Sequence, residues 1–416
     1  MVRPTRVSVG VTLALWTALA QGETIRLTQD EAVARAVHAS PLVVRADRER
    51  DLAAAGRIGA GVLLPANPVI SAAGGHRSDR SVSTPLAVGP EWSARLEQTF
   101  EVAGQRGARL AEADRAIAVA VARQGLARVD TRAATRASYV ALQVTRAQAD
   151  AAGRRVKLGD QLLTAARARV KAGAASDVEL HLAEVEQARL EHDRIEADLA
   201  AGEAERLLKL LVGAPSGAQL DPTTPLEPPA ISSVDGERML EQALVRRQER
   251  KLLGAATEHV DAVAKRLRRE IAPNPTLFVD VAGQQPGQIY VGGGVALPIP
   301  IWRRNQGELA QARAERRRLE DEGRLLTREI TLELASALRV VEARQTEAKL
   351  WTERIVPSAE ANVELVRQGW LGGKFDLFRV VQVTREAADA RRRQLEVLGD
   401  LWRARIELFR VAGEDS

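Results

Sequence analysis

The sequence predicts a mainly α protein with a small β part, built from two copies of one unit, each a long α-hairpin joined to a short β-hairpin. Three observations predict it. Proline is absent from Glu91 to Ala214, and only Pro357 falls between Ile301 and Ser416, so two very long stretches run almost without a helix breaker. Four short segments set apolar against polar residues with a period of two. The two halves also align with each other at nearly constant spacing.

Composition supports long helices. Of 416 residues only 3% are aromatic, while Ala, Arg, Leu and Glu dominate, a mix that favours helices packed through small side chains over a bulky globular core. The formal charge is +5, with Lys and Arg interspersed among Asp and Glu, which speaks against a nucleic-acid partner. Cysteine is absent, so disulfides, thiolate metal sites and a cysteine-linked lipid are not expected.

Residues 1–20 read as a signal peptide. Arg3 and Arg6 form the basic start, Val7 to Leu15 the apolar run, and "ALA" (18–20) a cleavage site before Gln21. Its removal takes away two arginines and lowers the formal charge from +5 to +3. An uncleaved anchor is the alternative, disfavoured by the short apolar run. No later segment has the apolar length that a transmembrane helix needs. The first repeat then spans 21–214, a proline-rich linker 215–236, and the second repeat 237–416.

Each repeat opens with helix. Thr28 and Glu31 form a capping box, and Pro41 divides the first helix from a second running to about Leu64. "EAVARAVHAS" (31–40) corresponds to "RMLEQALVRR" (238–247) at an offset of 207, and "NPVISAAGG" to "NPTLFVDVA" at the same offset. The β-hairpins are expected at about 67–100 and 274–300. In "EWSARLEQTF" (91–100), Trp92, Ala94, Leu96 and Phe100 alternate with Glu91, Ser93, Arg95, Glu97 and Thr99, Gln98 being the polar exception. Ile289, Val291, Val295 and Leu297 repeat the pattern more weakly. Strands of about ten residues match a tilted bilayer crossing, and Trp92, Phe100, Phe278, Tyr290 and Trp302 are placed to form an interfacial girdle. A half-buried strand in a soluble sheet would alternate in the same way.

Beyond the hairpins the offset becomes 200, pairing Gly107 with Gly307, Gly173 with Gly373 and Gly213 with Gly413. The seven-residue difference falls between Gly75 and Glu91, at a solvent-facing loop tip. Long helices are expected at about 103–170, 176–212, 302–370 and 376–412, with a kink at Pro357. The first would reach roughly 100 Å at 1.5 Å per residue. They turn at "VKAGAASDVEL" (170–180) and "LGGKFDLFRVV" (371–381) and end on Gly213 and Gly413, which suit C-terminal caps.

Four strands cannot close into a barrel that encloses anything, and open strand edges are not tolerated in lipid. The expectation is therefore a hollow homo-oligomer. A soluble periplasmic coiled-coil adaptor is the alternative, although it would have no use for the hairpins.

The order of segments resembles the TolC-type outer-membrane efflux family across the mature chain. The stretches that carry the resemblance are "LTQDEAVARAVHASP", "LLPANPVISAAGG", "LEQTFEVAGQRGARLAEA", "RVKAGAASDVELHLAEVEQARLE", "LPIPIWRRNQGELAQARAE" and "GGKFDLFRVVQVTREA". The resemblance implies a trimer whose twelve-stranded transmembrane β-barrel, four strands per chain, continues into a twelve-helix periplasmic α-barrel. It implies a passive exit duct in the outer membrane, partnered by a periplasmic adaptor and an inner-membrane transporter. "FEVAGQRGAR" (100–109) is similar to members serving heavy-metal pumps of the resistance-nodulation-division type, the CzcC-like branch. A channel for type I protein secretion is the other reading of the same family.

The resemblance also implies that the two helical turns dock the adaptor and close the pore. Docking falls on Gly173, Ala174, Ala175, Ser176, Gly373, Lys374 and Phe375, and the gate on Glu179, Trp370, Asp376, Arg379 and Gln382. Arg379 and Gln382 stand where relatives can carry aspartates. A Glu179–Arg379 or Asp376–Arg379 link is expected to hold the tunnel narrow, with solvated surface charge as the plain alternative. Of the two turns, the second is the expected guard. No catalytic, cofactor or metal site is expected, because His38, His76, His181, His192 and His259 form no ligand cluster.

Overall fold

The structure, a computed structural model, describes residues 24–77, 89–229, 235–285 and 288–413. The signal segment 1–20 and the longer loop tip of the first hairpin lie outside the described residues. In chain order the elements are β1 (Thr24–Leu27), α1 (Gln29–Ala39), α2 (Pro41–Ala60), β2 (Val69–Arg77), β3 (Gly89–Thr99), α3 (Gln105–Lys171) and α4 (Asp177–Val212). Then follow β4 (Gln219–Pro222), α5 (Gly236–Arg246), α6 (Gln248–Arg269), β5 (Thr276–Gln285), β6 (Gln288–Ala296), α7 (Gln306–Leu350), α8 (Val356–Leu371) and α9 (Leu377–Ala412).

The capping box starts α1 as its residues require. The Glu31 amide donates to Thr28 Oγ1 (3.3 Å), and the Thr28 amide to Glu31 Oε2 (2.8 Å). The 67 residues of α3 meet no proline and no break. Between α7 and α8 a π turn, Trp351–Ile355, takes up Pro357, which has no N–H to give the carbonyl four residues back.

The linker holds a strand that the sequence does not announce. β4 pairs in parallel with β1, Thr24 opposite Gln219 and Leu27 opposite Pro222. Four residues ending in proline are too few to show a period, so only tertiary contact reveals them. Leu27 and Leu220 enter the core of the first repeat with Ala32, Ala36, Leu142 and Leu208. Tyr139 fastens the linker there: its hydroxyl donates to the Leu27 carbonyl (2.8 Å) and accepts from the Thr224 amide (3.1 Å).

The second repeat builds the same core from Met239, Leu334, Leu408 and Ala412. In both repeats the last helix ends on a glycine lodged against the first helix corner. Gly213 sits at φ 66°, and a Cβ there would fall 2.6 Å from Ala39 Cβ; Gly413 at φ 70° meets Arg246 at 3.2 Å. Left-handed backbone and overpacking together predict that Gly213→Ala costs about 2–4 kcal/mol, measurable as a shifted denaturation midpoint.

The repeat spacing differs in one place from the sequence alignment. The Ala103 amide donates to Gln105 Oε1 (2.8 Å), and the Arg304 amide to Gln306 Oε1 (2.7 Å). Gly104 (φ 74°) and Asn305 (φ 54°) precede them in the same left-handed conformation. The helix starts therefore correspond at 201, and the pairing of Gly107 with Gly307 is displaced by one. The turns keep 200, so the second repeat loses one residue along the arm that contains the π turn.

Where α5 meets α6 the second repeat departs chemically from the first. The corner residue Ser40 lies 3.5 Å from Thr131 through their hydroxyls, whereas its counterpart Arg247 bonds Glu249 (2.7 Å) and Glu333 (2.6 Å). Arg410 and Glu407 complete the network, bonded at 2.7 Å. Asp130 of α3 faces this set. Burial, reinforced by Glu249 and Glu407 against the pull of Arg410 and Arg247, raises its carboxyl above the ordinary carboxylate value. The folded chain thus holds this proton more tightly than the unfolded chain. Its contribution to stability is present at low pH and is lost as pH rises through the folded pKa. Asp130→Asn is expected to remove this fall, so that stability rises more steeply on the acid side of the profile in thermal melts and Tm at neutral pH is higher.

Candidate functional site

The four longer strands form one antiparallel sheet in the order β2-β3-β5-β6, so the two hairpins join through β3 and β5. Residues opposite each other in such a pair project from the same face. One face collects Ile70, Trp92, Leu96, Leu277, Val279, Val281, Ile289, Val291 and Val295. A Cβ on Gly283 would touch the Trp92 indole at 2.5 Å, which shows Trp92 lying across that face. The other face carries Ser71, Ser93, Arg95, Glu97, Thr99, Thr276 and Asp280, with Arg95 bonded to Asp280 at 2.5 Å.

This register corrects the girdle. Phe278 pairs with Glu97, and Tyr290 with Ala282 opposite Ser93, so both aromatics stand on the polar face. Phe278 lies beneath the Arg95 guanidinium, 4.6 Å from its carbon. Nearness in sequence had grouped them with Trp92; parity along the strands separates them. Phe100 follows β3, its amide bonded to the Pro275 carbonyl (2.9 Å), and Trp302 precedes α7 in full exposure.

At the opposite end, both helical turns use one construction. Gly173 (φ 68°) donates to the Val170 carbonyl (2.9 Å) and Ala174 to that of Arg169 (2.8 Å). Gly373 (φ 74°) donates to Trp370 (3.0 Å) and Lys374 to Gly369 (2.7 Å). These are paired Schellman closures, which require a left-handed residue after the helix. Ser176 then caps α4 through the Glu179 amide (3.4 Å), and Asp376 caps α9 through the Arg379 amide (2.8 Å). Ala175 is half-buried and Phe375 exposed, its ring lying against Gly369.

Between the turns lies a packed seam. Leu162, Ala166 and Ala183 of the first hairpin meet Trp370, Leu377, Val380 and Val381 of the second. Trp370 is 1% exposed, so it anchors this seam by packing. Its indole N–H donates to Glu179 Oε1 (3.1 Å), and the Arg169 guanidinium stands 5.3 Å over its ring and 3.8 Å from Glu179. Glu179 is therefore engaged with Arg169 and Trp370, while Asp376 reaches Arg379 through the backbone amide. The Arg379 guanidinium and Gln382 face solvent, Gln382 bonded to Glu386 (3.2 Å). One turn further, Arg385 bonds Glu186 through Nε (3.0 Å), with Glu186 only 8% exposed. The Glu186 carboxylate holds the Arg385 guanidinium above its ordinary pKa. Neither Arg169 nor Arg385 stood out in the sequence. The available signal was Trp370 itself, a large residue where the first repeat has Val170.

The long helices α4 and α7 each expose a row of apolar side chains. α4 packs on α3, α3 on α9, and α9 on α7 and α8. On α4, Val178, Val185, Ile195 and Leu199 are exposed within one flank, and on α7 so are Leu325, Leu332, Val340 and Leu350. Among the described residues no helix is long and apolar enough to cross a membrane, and no three acidic or His side chains converge as metal ligands.

Comparison with known proteins agrees with this geometry. Residues 248–414 match the family described as outer membrane efflux protein. The chain is 26% identical to the cobalt-zinc-cadmium resistance protein CzcC of Cupriavidus metallidurans, over 77% of either length. Its fold superposes on the crystal structure of CusC with a TM-score of 0.73 at 16% identity, covering 93% of this chain and 92% of that one. VceC from Vibrio cholerae gives 0.70 at 16% identity, covering 93% and 96%.

Proposed function

We propose, on the premise that residues 248–414 are an outer membrane efflux protein domain and the first repeat its structural duplicate, that this chain is one third of an outer-membrane exit duct. The observation that carries the reading is the sheet. It has one apolar face, and its edge strands β2 and β6 have no partner among the described residues. In lipid such edges must be paired, and a closed ring of identical chains pairs every β2 with the next β6. Three copies give twelve strands, and the apolar flanks of α4 and α7 meet in the same head-to-tail sense to close twelve helices below.

The duct itself is passive. Its cargo would be delivered by a periplasmic adaptor docked on the turns at Gly173 and Gly373, and by an inner-membrane transporter of the resistance-nodulation-division type. Likeness to CzcC favours divalent metal ions as cargo. The turns would narrow the pore, with three copies of Arg379 repelling one another near the axis. Arg379→Ala is expected to change single-channel conductance in planar bilayers; an unchanged pore would remove Arg379 from the gate.

Two measurements test the reading. The protein should float with outer-membrane vesicles and run as a heat-modifiable oligomer, whereas a freely soluble protein refutes it. Deleting the gene should sensitise its host to cobalt, zinc or cadmium, with rescue by the intact gene; unchanged tolerance to all three refutes the metal cargo.

A further inference from the structure

At the end of the sheet where the strands join the helices, the repeats differ in charge. The second repeat places Arg268 and Arg269 at the end of α6 and Arg303 and Arg304 just before α7. Their counterparts, at the offsets the structure gives, are Gly61, Val62, Val102 and Ala103, all uncharged. Asn305 Nδ2 donates to the Leu267 carbonyl (2.9 Å), which fastens the two arginine pairs to one place. None of the four guanidiniums contacts a carboxylate among the described residues: Arg269 and Arg304 bond only the carbonyls of Ala103 (3.3 Å) and Pro300 (3.1 Å). Between β6 and these arginines Leu297, Ile299, Ile301 and Trp302 are all exposed, Trp302 to 83%.

Resting on the membrane reading above, we infer that this corner is a binding surface for anionic phospholipid in the periplasmic leaflet. An indole at headgroup level with uncompensated arginines immediately beneath the apolar band is the pattern that holds a protein to a negatively charged leaflet. Trp302 and its apolar neighbours would sit among the upper acyl chains, while the four guanidiniums meet lipid phosphates through charge-assisted hydrogen bonds. The surface directly follows β6 and occurs once per chain, hence three times around the duct.

The test uses the full-length protein reconstituted in vesicles containing brominated lipid. The Trp302 signal is the difference in emission between the natural protein and Trp302→Phe. Quenching by brominated phosphatidylglycerol is expected to exceed that by brominated phosphatidylcholine by roughly tenfold in effective concentration. The variant with Arg268, Arg269, Arg303 and Arg304 all changed to Gln should lose this preference while remaining a heat-modifiable oligomer. Equal quenching by the two lipids, a preference that survives in the variant, or a Trp302 that neither lipid reaches because the next copy covers it, would each overturn the inference. A protein that floats with vesicles but shows no preference removes this inference alone. One that does not float removes the channel reading with it.

Discussion

Aspartate at both Ile195 and Leu199 is expected to leave a folded chain that no longer forms an oligomer. Both residues are exposed on the outer flank of α4, so they contribute little to the isolated chain. In the closed ring they would be buried against the next copy, each worth about 1.5–3 kcal/mol. Aspartate both forfeits that burial and places an unpaired charge in the joint, at a cost of several kcal/mol more. Three joints per ring repeat the effect. Sedimentation in detergent should show the monomer, with helical circular dichroism unchanged. An intact oligomer would place the joint elsewhere than on α4.

The second large effect is expected at Trp370. Truncating this fully buried side chain to alanine should cost about 3–5 kcal/mol and leave Glu179 without its indole donor. The seam between the two hairpins then loses its largest member, so the turns should part and conductance rise several-fold. Trp370→Phe separates the causes, since it keeps most of the packing and removes only the hydrogen bond, worth about 1–3 kcal/mol to a charged acceptor. If the phenylalanine variant opens as far as the alanine variant, the Glu179 bond rather than packing closes the tip. If neither changes conductance, the seam does not hold the pore.

The long-range design was legible because it rests on repetition and on local rules. The Thr28 capping box, the glycine turns at 173 and 373 and the terminal caps at 213 and 413 each follow from a backbone requirement that one residue type meets. Parity along β3 gave its apolar face correctly. What escaped was what tertiary pairing decides. β4 is too short to show a period, and Tyr139 could be known as its clasp only once α3 was seen beside the linker. Phe278 and Tyr290 changed face because strand parity, not proximity, sets the face. The gate residues shared this limit. Arg379 is expected from the sequence to link to Glu179 or Asp376; Asp376 meets its backbone amide, and helix packing brings Arg169 and Trp370 to Glu179. The bond between Arg385 and Glu186 joins residues that no spacing rule links.

A closed duct requires three copies of the chain. Native mass spectrometry of the protein extracted from the outer membrane without heating tests it most directly. One species containing three chains is expected, collapsing to the monomer when Ile195 and Leu199 are both changed to Asp. A monomer, or an assembly of two or four chains, from the unaltered protein would contradict it.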